Sequence, residues 1–312
     1  MTSRVANGVL VVDKPCGPTS HDVVARLRRI VGLREIGHAG TLDPMATGVL
    51  VLAVGEATKL VPWLSAHEKA YEATIALGVE TDTLDAQGRE VRCVPPTQEL
   101  LAALSAFRAG EPVAAILDAV LALERTRATQ VPPAFSALQH NGERSYARAR
   151  RGEEFLLPAR PIRVLRLELV GCTADPATIS VALDVGKGYY VRALARDIAV
   201  ALGTVGHLSS LRRTRSGCFC GDEALPLEAP SQALLSGIQP TALAAARSLP
   251  VARLTERGAV DARHGRRVGP GDIGAVASGV CAFIGPGGEL VAVGEVDQAG
   301  CGKVVRGFGC RD

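Results

Sequence analysis

Gly37-His38-Ala39-Gly40-Thr41-Leu42-Asp43-Pro44 sets one aspartate in a glycine-rich loop between two apolar stretches. A carboxylate held beside a histidine, among small residues that let a bulky ligand approach, has the layout of a nucleophile in a cleft. Taken alone, the same residues also describe a turn, because aspartate before proline bonds its own backbone. His38 precedes Asp43 by five residues. It could act as a general base, a stacking surface or a structural hydrogen-bonding group. The loop holds no further His or Cys, which argues against a metal site. It contains neither Gly-Lys-Ser/Thr nor GxGxxG, so a nucleotide-phosphate loop is a poor fit.

Other candidates lie further along the chain. Arg192 and Arg196 stand one turn apart at the start of a helical pattern. A cation beside Asp43 would keep it ionised, as a nucleophile requires; in isolation the two arginines read as a solvated pair. Tyr71 begins a strand pattern. Lys14, one of only five lysines, ends another beside Pro15. Residues 124–151 are polar and broken by Pro132-Pro133 and Asn141-Gly142. Their six arginines (125, 127, 144, 148, 150 and 151) stand against Glu124 and Glu143, a local charge of +4. With Phe135, His140 and Tyr146 interleaved, this stretch suits RNA. The competing reading is an exposed, solvated loop, although its length is unusual for a silent connection in a compact domain.

The elements that must position these residues follow from periodicity. Val9 to Val12 reads as a strand. Thr19 or Ser20 caps a helix with Val23, Val24, Leu27, Ile30 and Val31 on one stripe and Arg26, Arg28 and Arg29 mainly off it. Gly48 to Val54 reads as a buried strand. Tyr71, Ala73, Ile75 and Leu77 share one strand face. A polar turn at 81–88, a helix at 97–107, and strands at 162–169 and 179–185 come next. The helix from Val191 stops at Gly203. Residues 228–248 read as helical. Short strands at 280–284, 290–296 and 304–308 make 250–312 a small β-rich C-terminal domain after a main domain of 1–248.

Composition bounds the possibilities. The chain has 312 residues, enough for two domains or one with an appendage. It is 47% hydrophobic but only 4% aromatic, so aliphatic side chains must fill the core. A net charge of +3 does not by itself mark a nucleic-acid binder. The basic residues are 30 Arg against 5 Lys. Arginine's planar fork suits phosphates, but codon composition is the main reading of the bias. The eight cysteines are scattered, with no CxxC pair. Cys218-Phe219-Cys220 reads as two core thiols, and the chain is too long for a disulfide scaffold, so a reducing compartment is expected. No secretory apolar region opens the chain, and no apolar run reaches about 18 residues. A soluble, cytoplasmic protein is expected.

Taken together, these pieces resemble the TruB family of tRNA pseudouridine synthases from about Gly8 to Arg215. Asp13-Lys14-Pro15 resembles the family's N-terminal motif, and residues 37–48 resemble its catalytic loop. Lys69-Ala70-Tyr71 matches its tyrosine position. Residues 188–197 match its arginine motif, and residues 207–214 match the segment that closes the pocket. The resemblance implies an α+β fold: a mixed, largely antiparallel central sheet with flanking helices and a catalytic cleft, plus a PUA-like C-terminal RNA-binding domain. It implies isomerisation of uridine 55 in the T-loop of tRNA to pseudouridine on a flipped-out base, without cofactor or metal. Asp43 would be the nucleophile, Arg192 its partner and Tyr71 the base for a sugar proton. His38 would fill the vacated stack, Tyr190 and Leu211 would line the base pocket, and Lys14 and Asp85 would help hold substrate. Residues 124–151, with Arg144, Arg148, Arg150 and Arg151, would form a thumb on the T stem-loop. A monomer without membrane attachment is expected.

Three alternatives differ in chemistry. A non-catalytic RNA-binding or folding protein gains nothing from a carboxylate near phosphates. A guide-dependent relative acting on ribosomal RNA has less need of the 124–151 insertion. A base-releasing glycosylase would use similar carboxylate chemistry but liberate uracil.

Overall fold

A computed structural model describes residues 7–135, 139–140, 143–144 and 157–309. The chain forms two compact units. The first gathers residues 1–44, 48–67 and 216–312; the second gathers 45–47 and 68–215. The class is mixed α+β with mostly antiparallel sheet.

In the first unit, β1 (Gly8–Lys14) pairs antiparallel with β3 (Thr47–Val54), from Gly8 opposite Val54 to Lys14 opposite Gly48. Both strands are buried on both faces, which explains why they read as unbroken aliphatic runs. β2 (Ile36–His38) adds to β3, and Leu225–Pro226 and Gln239–Pro240 add short stretches to β1. α1 (Ser20–Val31) starts at Thr19. Its side chain accepts from the Asp22 N–H while Asp22 returns a bond to the Thr19 N–H, a complete capping box. Gly32 ends the helix at φ +73°, a left-handed conformation that glycine adopts without strain.

The segment 228–248, read as helical, holds two helices, Ser231–Ser236 and Thr241–Ser248. Gly237 and Pro240 separate them. Proline ahead of the second helix lacks the N–H that a continuous helix would need. The C-terminal strands lie at Gly279–Ile284, Leu290–Val296 and Gly302–Gly307. Val251–Arg253 joins them, running parallel to the first. The helix Glu256–Arg263 packs on this sheet.

In the second unit, Val164–Ala174, Ala177–Val185 and β4 (Lys69–Leu77) form an antiparallel run, with Gly206–Ser216 next to β4. The helices Gln98–Arg108 and Val191–Ala201 stand where periodicity placed them. Ala115–Arg125 is a further helix, burying Leu117, Val120 and Leu121. Within the arginine-rich stretch, Gln139 pairs with Arg144 and His140 with Glu143 in a small antiparallel ladder. Arg148, Arg150 and Arg151 lie outside the described residues.

Candidate active site

The site residues divide between the units: Lys14, His38 and Asp43 in the first, and Tyr71, Asp85, Tyr190, Arg192 and Leu211 in the second.

The backbone around Asp43 is fixed on both sides by the segment that leads into α1. On one side, the Ser20 hydroxyl donates to Leu42 O at 3.1 Å and accepts from Leu42 N at 2.9 Å. On the other, Gly17 N donates to Pro44 O at 2.9 Å, and the Lys14 ammonium reaches the same carbonyl at 3.2 Å and Pro15 O at 2.9 Å. Ser20 is 1% exposed and Lys14 0%, so these clamps are dry. Lys14 thus grips the loop through carbonyls, an expensive burial of charge that makes sense only if hydrogen bonds compensate it. Gly40 and Gly48, at φ +115° and +99°, bracket the aspartate with backbone that a side chain would strain. Asp43 itself is half-buried. His38, where β2 enters the loop, meets the His21 ring edge-on, with centroids 5.3 Å apart and planes at 86°.

In the second unit the arginine-motif helix does the positioning. Arg192 is 6% exposed. Its Nη1 donates to Thr83 O at 2.8 Å and lies 3.7 Å from Asp85 Oδ2, and its Nη2 donates to Phe135 O at 2.9 Å. Asp85 is 5% exposed; its Oδ1 accepts from Thr83 Oγ1 at 2.7 Å and Gln87 N at 3.0 Å. Leu84, between them, has φ +61°, an unfavourable conformation for a branched side chain. Strain of this kind persists where surrounding bonds over-determine the backbone. Here Leu84 O accepts from Leu208 N, and Ala86 N donates to Leu208 O, both at 3.0 Å. Leu211 follows on the same strand, and its carbonyl accepts from the Thr47 hydroxyl at 3.4 Å. Tyr71 is half-buried on β4, opposite Leu183.

Three contributors escaped the sequence reading. Gln130, 2% exposed, bonds both backbone groups of Tyr190: Nε2 to its carbonyl at 3.1 Å and Oε1 from its N–H at 3.0 Å. Lys69 is buried two residues before Tyr71. Burial, and then the charges of Arg213 and Lys187, bring its ammonium down to about 8. Burial pushes the Tyr189 phenol well above the usual range, so it stays protonated. A lone glutamine carries no periodic signal; Lys69 and Tyr189 lie inside the motifs at 69–71 and 188–197 but were given no role of their own there. Among the described residues, no group of three His, Cys, Asp or Glu side chains could hold a metal ion. No described helix is long and apolar enough to cross a membrane. Cys16, Cys93, Cys172, Cys218, Cys220, Cys281 and Cys301 are free thiols.

The mixed, mostly antiparallel fold fits an RNA pseudouridine synthase, an isomerase, and it is the sequence comparisons that establish the class. Residues 28–191 match the N-terminal domain of the TruB family pseudouridylate synthases, and residues 192–240 match the C-terminal domain of tRNA pseudouridylate synthase B. The chain belongs to the TruB family. Among similar proteins, tRNA pseudouridine synthase B of Mycobacterium sp. (strain KMS) is 44% identical over 295 residues, covering 93% of each chain. Its namesake in Arthrobacter sp. (strain FB24) is 41% identical, covering 97% of this chain and 96% of the other. The solved H/ACA ribonucleoprotein bound to a substrate RNA containing 2′-deoxyuridine has a chain that superposes with a TM-score of 0.70 over 99% of this chain and 87% of that one. At 24% identity, it shows the shared fold.

Proposed function

We propose that the protein converts uridine 55 in the T-loop of tRNA to pseudouridine, with Asp43 as nucleophile on a flipped-out base. The observation that carries this reading is the loop geometry. Leu42 and Pro44 are each tied down by buried groups, so the carboxylate between them is aimed by its backbone rather than left to a mobile turn. The tRNA substrate is supported by relatives named tRNA pseudouridine synthase B that align along nearly their whole length.

The chemistry needs the C1′–N1 bond to break, uracil to rotate and a C1′–C5 bond to form, after which C5 loses its proton and N1 takes one up, so that the product is an isomer of the substrate. An ionised carboxylate can serve by attack on the sugar C1′ or by addition to the pyrimidine ring. No redox or group-transfer step occurs. Extracting the base from its stack costs a few kcal/mol; His38 is suited to filling the gap. Tyr71 is proposed as the base for a sugar proton, and Arg192 as the cation that keeps Asp43 ionised, with Asp85 and Thr83 O orienting the guanidinium. Tyr190 and Leu211 would line the base. Lys14 would act by holding the loop. Arg144, Arg148, Arg150 and Arg151 are proposed to grip the stem through the 124–151 insertion, and residues 250–312 to form an additional RNA-binding domain.

The test is incubation of unmodified tRNA with purified protein, without added metal or nucleotide, and mapping of pseudouridine by primer extension. Wild type should mark the T-loop uridine. Asp43→Asn should lose on the order of 10³-fold or more in rate. Full conversion by Asp43→Asn would overturn the nucleophile; release of free uracil would favour the glycosylase.

A further inference from the structure

The outer face of α1 is unaccounted for by the site described above. The helix buries Val23, Val24 and Leu27, and turns His21, Ala25, Arg28 and Arg29 to solvent. These residues recur at three- and four-residue spacing, so they form one stripe. Exposed Arg34 follows in the turn beyond Gly32. One end of the stripe reaches the catalytic loop through the contact of His21 with His38. Further along, Arg28 Nη2 donates to Ile36 O at 2.9 Å, holding that guanidinium across the start of β2, the strand that ends in His38.

The stripe carries more positive than negative charge: exposed Glu35 adjoins Arg34 and Asp22 adjoins His21, but neither carboxylate forms an ion pair with the arginines of the stripe. The helix holds a single acid, Asp22, which is engaged in the capping box with Thr19. Among the described residues no carboxylate pairs with Arg26, Arg29 or Arg34. Helix stability does not call for this arrangement. Cations in the last turn complement the helix dipole, which covers Arg28 and Arg29. It does not cover His21 at the opposite end, Arg26 in the middle, or Arg34 outside the helix.

We propose that this stripe is a second contact surface for the RNA substrate, taking the phosphodiester backbone that flanks the target nucleotide. The inference rests on the RNA-modifying reading of the site. His21 packs against the nucleotide neighbouring the one that His38 faces, and Arg29 and Arg34 take phosphates further along. His21 to Arg29 spans about 12 Å along the helix axis. Arginine suits the task because its fork meets phosphate oxygens bidentately.

The test uses the full chain and unmodified tRNA, with Kd measured at several salt concentrations and conversion followed at saturating RNA. Arg29→Glu and Arg34→Glu should each weaken binding ~3- to 10-fold. Each should also lower the slope of log Kd against log salt by about 0.7–0.9. His21→Ala should raise KM, with kcat within about twofold of wild type. Arg108→Glu, an exposed reversal elsewhere, controls for net charge and should change Kd less than about twofold. If a reversal lowers the melting temperature, Arg29→Gln with Arg34→Gln keeps the comparison open. Unchanged Kd and slope in the double variant, or an equal loss in Arg108→Glu, overturns the stripe. Wild type that binds tRNA but forms no pseudouridine overturns the reading of the site, and the binding data still decide the stripe.

Discussion

At the scale of single residues, the loop around Asp43 depends on buried groups outside the loop itself. Ser20 satisfies both backbone groups of Leu42 in a dry environment. Ser20→Ala leaves a buried donor and a buried acceptor unmet, costing about 1–3 kcal/mol for each such group. The expected outcome is a lower melting temperature, together with a drop in kcat measured well below it, because the carboxylate loses its fixed direction. A variant with reduced stability but unchanged kcat would show that the clamp is only structural. Lys69 makes a different prediction. Its folded-state ammonium is depressed from 10.5 to about 8, chiefly by burial. Between these pH values the unfolded chain holds the proton that the folded chain has released. Stability contributed at this position therefore rises with pH from about 8 to 10.5. Removing the charge with Lys69→Met should erase that rise. The melting temperature of wild type relative to Lys69→Met should climb across this window; a constant difference would rule out a depressed lysine.

Between elements, the arginine-motif helix is fastened to the root of the arginine-rich insertion. Gln130 holds both backbone groups of Tyr190, Arg192 donates to Phe135 O, and Arg196 Nη2 donates to Val131 O at 3.0 Å. Any displacement of residues 130–135 is therefore felt at the guanidinium that also faces Asp85. Gln130→Ala should cut kcat several-fold as well as stability, and Gln130→Glu, which keeps the acceptor for the Tyr190 N–H, should recover part of the loss in kcat. Equal loss in both variants would mean that the Nε2 donor to Tyr190 O, which glutamate lacks, carries the effect rather than the acceptor or the filled space. These fastenings were not legible beforehand, because each is a long-range bond from a polar side chain to a carbonyl. What was legible had a local cause. The helix from Val191 and the alternation from Tyr71 to Leu77 follow from periodicity, and the loop around Asp43 was marked by glycine, histidine and aspartate together. The strand Gly206–Ser216 was hidden because its buried positions include Arg213, which breaks the apolar alternation that announces a strand.

For the molecule as a whole, the C-terminal strands are not an independent bead. One buried cluster joins Val9, Val11, Val49 and Val51 of β1 and β3 with Ala282, Ile284, Leu290, Val293 and Phe308. Lys59 lies 5.7 Å from the Phe308 ring centroid, and its ammonium reaches Gly307 O at 3.3 Å. A second cluster, around Phe283 and Val291, belongs to the C-terminal sheet alone. Sequence texture suggests a separate C-terminal domain after Pro250 and could not show this shared core, because aliphatic residues look the same whichever partner they meet. The arrangement predicts that the C-terminal residues support the strand that carries Lys14. Phe308→Ala removes a buried aromatic side chain, a change that costs about 3–5 kcal/mol in well-packed cores. The full-length variant should melt several degrees lower, and truncation after Leu249 should give protein that binds a hydrophobic dye and is cut by protease within β1 and β3. A truncated chain with wild-type melting and no dye binding would show that the shared cluster contributes nothing to holding the N-terminal strands.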